Sequence, residues 1–477
     1  MKTNYIQAIR AECLRKRLIL STLFLALCFG SLHRSVGAPQ SSSSDSPRSP
    51  QIAELARRLR AGDKQSVQHF WSNVRKQGTP LIEPIPGDKV HYLVTFLWRA
   101  ESHVHNVLLV SGLSNLSYSR TALTENLLYR LPGSDVWYRT YRVRSDARFT
   151  YWFSINDSLV PAEDEKSPAT REATFQRDPL NPRHASGPAS DSLVELPDAP
   201  SQDWILARDN APKGQLTKVH FASKILGNER SLTIYTPPGY DPAGRPYHLL
   251  ILMDAEAYTS QIPAPVILDN LFNAGKVPPV VAVLIGNVAT GQPAARTTEL
   301  SCHQPFGRFL VEELLPWIRA RYHVSSLPAE RIIGGGSRGG LAAVCVGLDY
   351  PEQFGNVSAQ SGFFVFKDRN WFKNADPASA PDAESQEEMA WEQYGVLMQR
   401  VAAAPKQPLR FYLDVGKFEN NFHPSPLTAN RHLRDVLIAK GYEVKYQEFA
   451  GHHSAVNWRG TFPDALQFLL GNSSVAR

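Results

Sequence analysis

Apolar and polar residues alternate along this chain in two distinct ways. Between about residues 88 and 157 the alternation has a period of two, most clearly at 148–155. Successive side chains of a strand point to opposite faces of a sheet, so this pattern predicts short β-strands. The turn residues between them, such as those at 131–134, favour a β-sandwich of the immunoglobulin-like kind. Upstream, apolar residues at 51–75 recur at helical spacing.

Beyond about residue 216 strand-like and helix-like stretches alternate. The helical stretches include 306–322 and 427–440. Strands separated by helices are typical of a mainly parallel sheet that is covered by helices on both faces. The runs that predict strands are 232–235, 249–253, 280–285, 331–334, 411–415 and 444–449.

The positive charge of the chain is concentrated at its beginning. The 477 residues carry a formal net charge of +6. Residues 1–38 hold six Lys or Arg and one Glu, which leaves 45 basic and 44 acidic residues for the remainder. A nearly neutral remainder gives no reason to expect a nucleic-acid partner.

Residues 1–38 follow the order of an export signal. A basic stretch that ends at Arg17 precedes an apolar run at 18–32, and small residues follow at 36–38. That order is typical of a cleaved secretory signal peptide. The apolar run is shorter than the roughly 20 residues that span a bilayer, although an uncleaved anchor remains the alternative. We therefore expect a periplasmic or secreted protein with no stable membrane span in its mature form.

These patterns divide the chain into five predicted segments. A signal peptide (1–38) is followed by a flexible linker (39–50) that contains a run of serines. The next segment (51–160) contains the N-terminal helix and the β-sandwich. A stretch rich in Pro, Ser and Asp (161–215) predicts an extended linker. The remainder (216–477) is the predicted catalytic domain.

Only two cysteines remain once the predicted signal is removed, Cys302 and Cys345. Export would permit a disulfide between them. Two cysteines do not make a disulfide framework, however, and two buried free thiols are the favoured interpretation. No spacing of Cys, His and acidic residues predicts a metal site.

The clearest chemical motif is G-x-S-x-G, formed by Gly335, Ser337 and Gly339. An apolar strand precedes it and an apolar helix follows it, which is the context of the nucleophile elbow of α/β-hydrolases. The helix N-terminus would face the negative charge that develops during acyl transfer. The loop lacks the Gly-Lys-Ser/Thr ending of a phosphate-binding loop. The motif therefore predicts that Ser337 is a nucleophile.

A serine nucleophile needs a base, which in this fold class lies near the end of the chain. His452 and His453 both follow the predicted strand 444–449. A loop at that position can reach the elbow, so either histidine is a candidate from its position alone.

The base in turn needs an orienting acid, which is expected after the predicted strand 411–415. Glu419 is the loop carboxylate there, whereas Asp414 falls within the strand and is assigned a structural role. The oxyanion hole is expected to combine the backbone amide of Arg338 with that of Glu256, which follows the predicted strand 249–253.

Several segments from about residue 88 to the end resemble the enterochelin (ferric enterobactin) esterases, in the esterase D-like branch of the α/β-hydrolases. The segments that carry the resemblance are GSDVWY at 133–138, ARFTY at 147–151, DPLNP at 178–182, YTPPGY at 235–240, ILDNL at 267–271, EELLPW at 312–317 and FGNVSAQSG at 354–362. The resemblance implies an α/β-hydrolase domain preceded by a smaller β-sandwich domain. It also implies hydrolysis of the trilactone backbone of a catecholate siderophore, with release of iron.

The resemblance assigns roles by position. Ser337 matches the family nucleophile and His453 the family base, which selects His453 over His452. Arg296 falls where the family has a basic residue that faces the substrate, and Trp458 and Arg459 follow the base as further substrate-binding candidates.

The chain departs from the family at two positions beside the base. His452 stands where a second glycine is usual, and Ser454 where an acid is frequent. Both departures leave the predicted triad intact.

We therefore expect a serine esterase that works through an acyl-enzyme and needs no cofactor, with iron arriving only as part of a small-molecule substrate. A ferric tricatecholate is trianionic, so Arg338, Arg296 and Arg459 are candidates for attracting it. Two alternatives remain open. One is an exported feruloyl or acetyl esterase that acts on plant polysaccharide, with tryptophans of the sandwich binding sugar. The other is an exported binding protein without catalytic activity.

Overall fold

A computed structural model describes most of the chain between residues 48 and 471. The described ranges are 48–100, 103–113, 120–160, 171, 173–185, 191–288, 293–365, 395–420 and 425–471. The predicted signal peptide and most of the linker after it lie outside the described residues. No helix within these ranges is long and apolar enough to cross a membrane.

Two helices open the described part of the chain, where one helical stretch is predicted. Helix α1 (Pro50–Arg60) begins after Ser49, whose side chain accepts a hydrogen bond from the Ile52 amide, and helix α2 is Ser66–Gln77. The two are separated at Gly62, whose φ of 80° lies in the left-handed region that glycine adopts easily.

Two antiparallel sheets then form a β-sandwich, as the period-two pattern predicts. One has the strand order β1-β2-β5-β4, and in the other β6 pairs with β3, β7 and β8. Phe96 of β2 meets Tyr151 of β6 at a ring-centroid distance of 4.8 Å, so the core lies between the sheets. The strands are β1 (Leu81–Ile85), β2 (Asp88–Arg99), β3 (Val107–Ser111), β4 (Tyr129–Arg130), β5 (Val136–Arg144), β6 (Arg148–Ile155), β7 (Phe175–Gln176) and β8 (Ser192–Glu195), with helix α3 (Arg120–Glu125) between β3 and β4.

The prediction of an extended linker at 161–215 is wrong in one respect. Strands β7 and β8 both lie inside that range and pair with β6. Along the longer strand β8, Ser192 opposes Tyr151 and Glu195 opposes Arg148. Four residues among prolines and serines give too short a pattern to indicate a strand. The partner that fixes it lies about 40 residues upstream, which local periodicity cannot show.

The predicted catalytic domain is built on an eight-stranded sheet with the order β16-β15-β14-β13-β11-β12-β10-β9. Strands β11 to β16 pair in parallel and β9 and β10 are antiparallel, so the predicted mainly parallel sheet is confirmed. The strands are β9 (Gln215–Ser223), β10 (Asn228–Thr236), β11 (His248–Met253), β12 (Val280–Val288), β13 (Arg331–Gly336), β14 (Asn356–Gln360), β15 (Arg410–Gly416) and β16 (Glu443–Phe449).

Helices cover both faces of this sheet. Ile251 and Ile333 pack into one apolar cluster, whereas Leu250 and Ile332 pack into another on the opposite face. The predicted helix at 306–322 is two short helices joined by a π-helical segment, Phe309–Leu314. The helices are α4 (Ala255–Ser260), α5 (Ala264–Asn273), α6 (Pro293–Glu299), α7 (Gln304–Arg308), α8 (Leu315–Arg319), α9 (Arg338–Asp349), α10 (Val396–Ala403), α11 (Pro426–Ala439) and α12 (Ala455–Leu470), with 3₁₀ turns at Asp203–Ile205 and Pro328–Glu330.

The interpretation of Cys302 and Cys345 as free thiols is wrong, because the two form a disulfide. Their Cα atoms lie 5.4 Å apart although 43 residues separate them in sequence. Folding of the loop before α7 against α9 brings them together, which spacing alone does not reveal. The disulfide therefore fixes helix α9, which begins directly after Ser337, to that loop.

Candidate active site

Ser337 lies at the sharp turn between β13 and α9. Its φ of 58° and ψ of −122° are unusual for a residue with a side chain. The turn is held on both sides, because the Ser337 amide donates to the Gln360 carbonyl (2.8 Å) and its carbonyl accepts from the Phe363 amide (3.0 Å). A Cβ atom on Gly335 would lie 2.8 Å from the carbonyl carbon of Gly339. The glycines therefore permit the close approach that a nucleophile elbow requires.

The predicted base and acid are in contact. His453 Nδ1 lies 2.7 Å from Glu419 Oε2. The carboxylate is buried and its other oxygen, Oε1, accepts hydrogen bonds from the Gly416 amide (2.9 Å) and the Ser361 hydroxyl (2.6 Å). The imidazole is partly exposed. With Nδ1 engaged by the carboxylate, Nε2 is left to exchange a proton with a hydroxyl group.

Trp458 links the base, the carboxylate and the elbow. Its indole N–H donates to Ser361 Oγ (2.9 Å), the same hydroxyl that donates to Glu419. Its ring meets the His453 ring edge to face at a centroid distance of 4.9 Å. A Cβ atom on Gly336 would lie 2.9 Å from the indole, so Trp458 also packs against the strand that carries Ser337.

Ser361 is the member of this arrangement that sequence reasoning does not assign to the site. It lies just after β14, with a φ of 45°, and is fully buried. Its amide also donates to Asp414 Oδ1 (3.1 Å). Burial raises the pKa of Asp414 to about 7, and its carboxyl group contacts the backbone amide of Ser361. A single serine in an apolar strand leaves no motif, although it falls within a segment that carries the family resemblance.

A cavity of about 350 Å³ opens beside Ser337. Four of the predicted site residues line it together: Ser337, Trp458, Arg296 and Glu256. Asp254, Tyr258 and Asn287 are among the other lining residues. A cavity of this size, with one nucleophile and several polar groups on an otherwise largely apolar wall, is typical of a small-molecule site.

The predicted arginines do not give the cavity a positive charge. Arg296 forms two hydrogen bonds with Asp254, from Nε to Oδ1 (2.6 Å) and from Nη2 to Oδ2 (2.7 Å). Glu256, whose Oε1 accepts from the Asn287 amide (3.2 Å), adds a second carboxylate. The charged side chains of Arg296, Asp254 and Glu256 on the described lining therefore sum to −1. A cation that faces an anionic substrate is predicted at Arg296, but an adjacent carboxylate neutralises it.

The guanidinium groups of the other two candidate cations, Arg338 and Arg459, are engaged by other side chains of the protein. Arg338 lies over the Phe363 ring at 4.6 Å and donates to Ser301 Oγ (3.0 Å). Arg459 is buried, its Nε donates to Gln202 Oε1 (2.7 Å), and burial lowers the pKa of its guanidinium. The structure places Arg459 on a separate small cavity and not beside Ser337.

The two amides predicted for the oxyanion hole lie in the first turns of helices. Arg338 is the first residue of α9 and Glu256 the second residue of α4. First-turn amides have no partner within their own helix. Asp254, which precedes α4, has a φ of 61° that turns the chain sharply into that helix. Within the described ranges no group of three or more His, Cys, Asp or Glu residues could hold a metal ion.

Two family descriptions match the chain. Residues 223–469 match the family described as "Putative esterase". Residues 93–205 match the family described as "Enterochelin esterase, N-terminal". The two matches correspond to the α/β domain that carries Ser337 and to the β-sandwich before it.

Curated proteins and solved structures resemble most of the chain. It is 29% identical to the iron(III) enterobactin esterase of Dickeya dadantii, over 88% of this chain and 95% of that protein. It is 32% identical to the iron(III) enterobactin esterase of Yersinia enterocolitica, over 61% of this chain and 87% of that protein. The crystal structure of the enterobactin esterase of Shigella flexneri in the presence of enterobactin is 25% identical, with a TM-score of 0.64, over 84% of this chain and 97% of that one.

Proposed function

This chain belongs to the enterochelin esterase family, and we propose that it is a serine esterase that hydrolyses the ester bonds of a catecholate trilactone siderophore. It is a carboxylic ester hydrolase. The observation that carries the catalytic proposal is the 2.7 Å contact between His453 and the buried Glu419, with Trp458 joining both to the elbow of Ser337.

The proposed reaction proceeds through an acyl-enzyme. Ser337 Oγ attacks the ester carbonyl while His453 Nε2 takes the hydroxyl proton, and the imidazolium then gives that proton to the leaving alkoxide. Glu419 holds the imidazole in place and stabilises its charged form. Water repeats the sequence on the acyl-enzyme, which releases the carboxylic acid and restores Ser337. The amides of Arg338 and Glu256 are the proposed donors to the oxyanion.

The proposed substrate follows from the relatives. The Dickeya and Yersinia proteins are named iron(III) enterobactin esterases, and the Shigella structure was obtained in the presence of enterobactin. The proposed chemistry uses only a hydroxyl, an imidazole and a carboxylate of this chain. We therefore propose that the enzyme needs no cofactor of its own and that any iron arrives bound to the siderophore.

The alternative of a carbohydrate esterase with a sugar-binding sandwich gains no support from the tryptophans. Trp137 is buried. Trp98 meets the Phe153 ring edge to face at 5.3 Å, and Trp152 stacks on Phe175 at 5.9 Å. Their rings are engaged in packing within the domain and do not form an open platform for a sugar.

A substrate comparison tests the proposed function. Purified protein would be offered ferric enterobactin, metal-free enterobactin and methyl ferulate, with products separated by chromatography. We expect cleavage of at least one form of the trilactone to linear esters or monomers, at a kcat/KM well above that for ferulate. Cleavage of ferulate alone would contradict the siderophore assignment. Substrate binding without turnover of any ester would instead favour the non-catalytic alternative.

We also propose that the protein is exported to the periplasm. The support is the order of basic, apolar and small residues in 1–38. The expected result is a mature N-terminus directly after Ala38, read by N-terminal sequencing of protein from the periplasmic fraction. A chain that retains residues 1–38 in the membrane fraction would identify an uncleaved anchor, and a full-length chain in the cytoplasm would contradict export.

A further inference from the structure

The loops that carry the acid and the base both pack against the β-sandwich. Glu419 is preceded by Phe418, whose ring meets that of Phe149 in β6 edge to face at a centroid distance of 6.4 Å. Phe418 packs on the apolar core of the sandwich, which also contains Phe149. The acid therefore follows directly after a residue that is anchored in the other domain.

The base loop is anchored in the same way. Ala450, three residues before His453, is buried within the core of the sandwich. Its carbonyl accepts a hydrogen bond from the Arg148 amide at the beginning of β6 (2.9 Å). The two loops are also joined directly, because the Phe418 amide donates to the Gly451 carbonyl (2.9 Å). One strand of the sandwich thus contacts both loops of the catalytic pair.

His452 lies in the seam, the contact region formed by β6, Gly112, Phe418 and residues 450–453. Its Nε2 lies 3.3 Å from Thr150 Oγ1 in β6. A Cβ atom on Gly112 would overlap the imidazole, so the sandwich leaves room for the ring only because a glycine lies there. Burial lowers the pKa of His452 to about 4, which keeps the ring uncharged at neutral pH. The side chain therefore packs as a neutral polar group, and the hydrogen-bonding contact with Glu419 is made by its neighbour His453.

The first turn of helix α12 also packs against the sandwich domain. Val456 packs with Ala185 and Leu193 of the sandwich domain. Its carbonyl accepts a hydrogen bond from the side chain of Gln202 (2.7 Å). Trp458, whose indole contacts Ser361 and the His453 ring, lies two residues further along this helix.

We infer that the β-sandwich domain positions the catalytic acid and base, and that His452 is the positioning residue at its centre. This inference rests on the proposed esterase function. The acid and the base follow β15 and β16 in loops, and loops depend on their surroundings for a fixed geometry. Contacts from β6 hold both loops at once, so the His453–Glu419 distance depends on a domain that contributes no catalytic group of the proposed reaction. A misplacement of a catalytic group by about 1 Å can lower a rate by about 10²-fold.

Substitution of His452 tests this inference with trilactone hydrolysis as the assay. We expect His452→Ala to lower kcat by about 10- to 100-fold while KM changes little, since the nucleophile and the cavity are untouched. His452→Gln, which can still reach Thr150, is expected to recover part of the loss.

Phe175→Ala is the matched control. Phe175 stacks on Trp152 in a separate apolar cluster of the same domain, so its loss lowers the stability of the sandwich without touching the seam. It is expected to lower the melting temperature and leave kcat and KM unchanged. An unchanged kcat in His452→Ala would overturn the inference, as would an equal loss of kcat in Phe175→Ala. Absence of turnover by the unmodified protein would contradict the proposed function itself.

Discussion

Replacement of Ser337 by alanine is expected to lower kcat for ester hydrolysis by about 10⁶-fold, the scale of loss when the nucleophile of a serine hydrolase is removed. The variant lacks only the hydroxyl oxygen that would form the acyl-enzyme. The elbow itself should persist, because it is held by backbone hydrogen bonds to the Gln360 carbonyl and from the Phe363 amide. The decisive measurements are single-turnover hydrolysis and equilibrium binding of the siderophore. Hydrolysis should be lost, whereas the binding affinity should stay close to that of the unmodified protein.

Ser223→Ala provides the control for this substitution. Ser223 ends the edge strand β9, and its hydroxyl contacts Glu313, away from the cavity. Loss of that hydroxyl should change stability but leave kcat within about twofold, as is usual for a substitution that does not touch the transition state. Substantial turnover by Ser337→Ala, at a tenth or more of the unmodified rate, would show that another group is the nucleophile.

Replacement of Glu419 by glutamine is expected to lower kcat by about 10⁴-fold, the loss seen when the acid of a serine triad becomes an amide. The hydrogen bonds around this side chain determine the direction of the effect. The Gly416 amide and the Ser361 hydroxyl both donate to Oε1, so the amide oxygen of a glutamine must occupy that position. The NH₂ group then faces His453 Nδ1 and forces the proton onto Nε2. An imidazole protonated at Nε2 cannot accept the serine proton.

Ser361→Ala is the companion variant for that argument. It removes the hydroxyl that donates to Glu419 Oε1 and accepts from Trp458 Nε1, but leaves the carboxylate charged. The expected loss in kcat is about 10-fold, the equivalent of one hydrogen bond of roughly 1.4 kcal/mol. Near-full activity in Glu419→Gln would indicate that catalysis uses a serine–histidine dyad or that another acid orients His453. Asp414 is the nearest alternative along the chain and is buried behind Ser361.

Much of the architecture could be predicted because the local periodicity of apolar residues indicates the strands and helices. The six predicted strands of the catalytic domain correspond to β10 to β13, β15 and β16. Two strands of this sheet, β14 and β9, have no corresponding predicted strand, and the reasons are opposite. Strand β14 (Asn356–Gln360) contains Asn, Ser and Gln yet is fully buried, and the side-chain amides of Asn356 and Gln360 donate hydrogen bonds within the core. Strand β9 lies at the sheet edge and is mostly exposed, so it lacks the continuous apolar run of the buried strands.

The candidate site divides in a similar way. The elbow motif, the order of nucleophile, acid and base, and the family resemblance select Ser337, Glu419 and His453 from the sequence, and the structure places the last two in hydrogen-bonding contact. Charge was harder to predict. A sequence displays Arg296 as a cation, but whether that cation is available depends on Asp254, a residue 42 positions away.

Local sequence patterns were enough to predict the two domain types, the strand–helix alternation, the sharp turn at Ser337 and the chain order of the proposed catalytic groups. These follow from periodicity and from motifs a few residues long, because backbone geometry at that scale depends on neighbours in the chain. Contacts between residues far apart in sequence became visible only in the folded chain: the Cys302–Cys345 disulfide, the hydrogen bonds from Trp458 through Ser361 to Glu419, and the contact of His452 with the sandwich. Such contacts depend on how elements pack around a shared core, and no local pattern encodes the partner of a buried polar group.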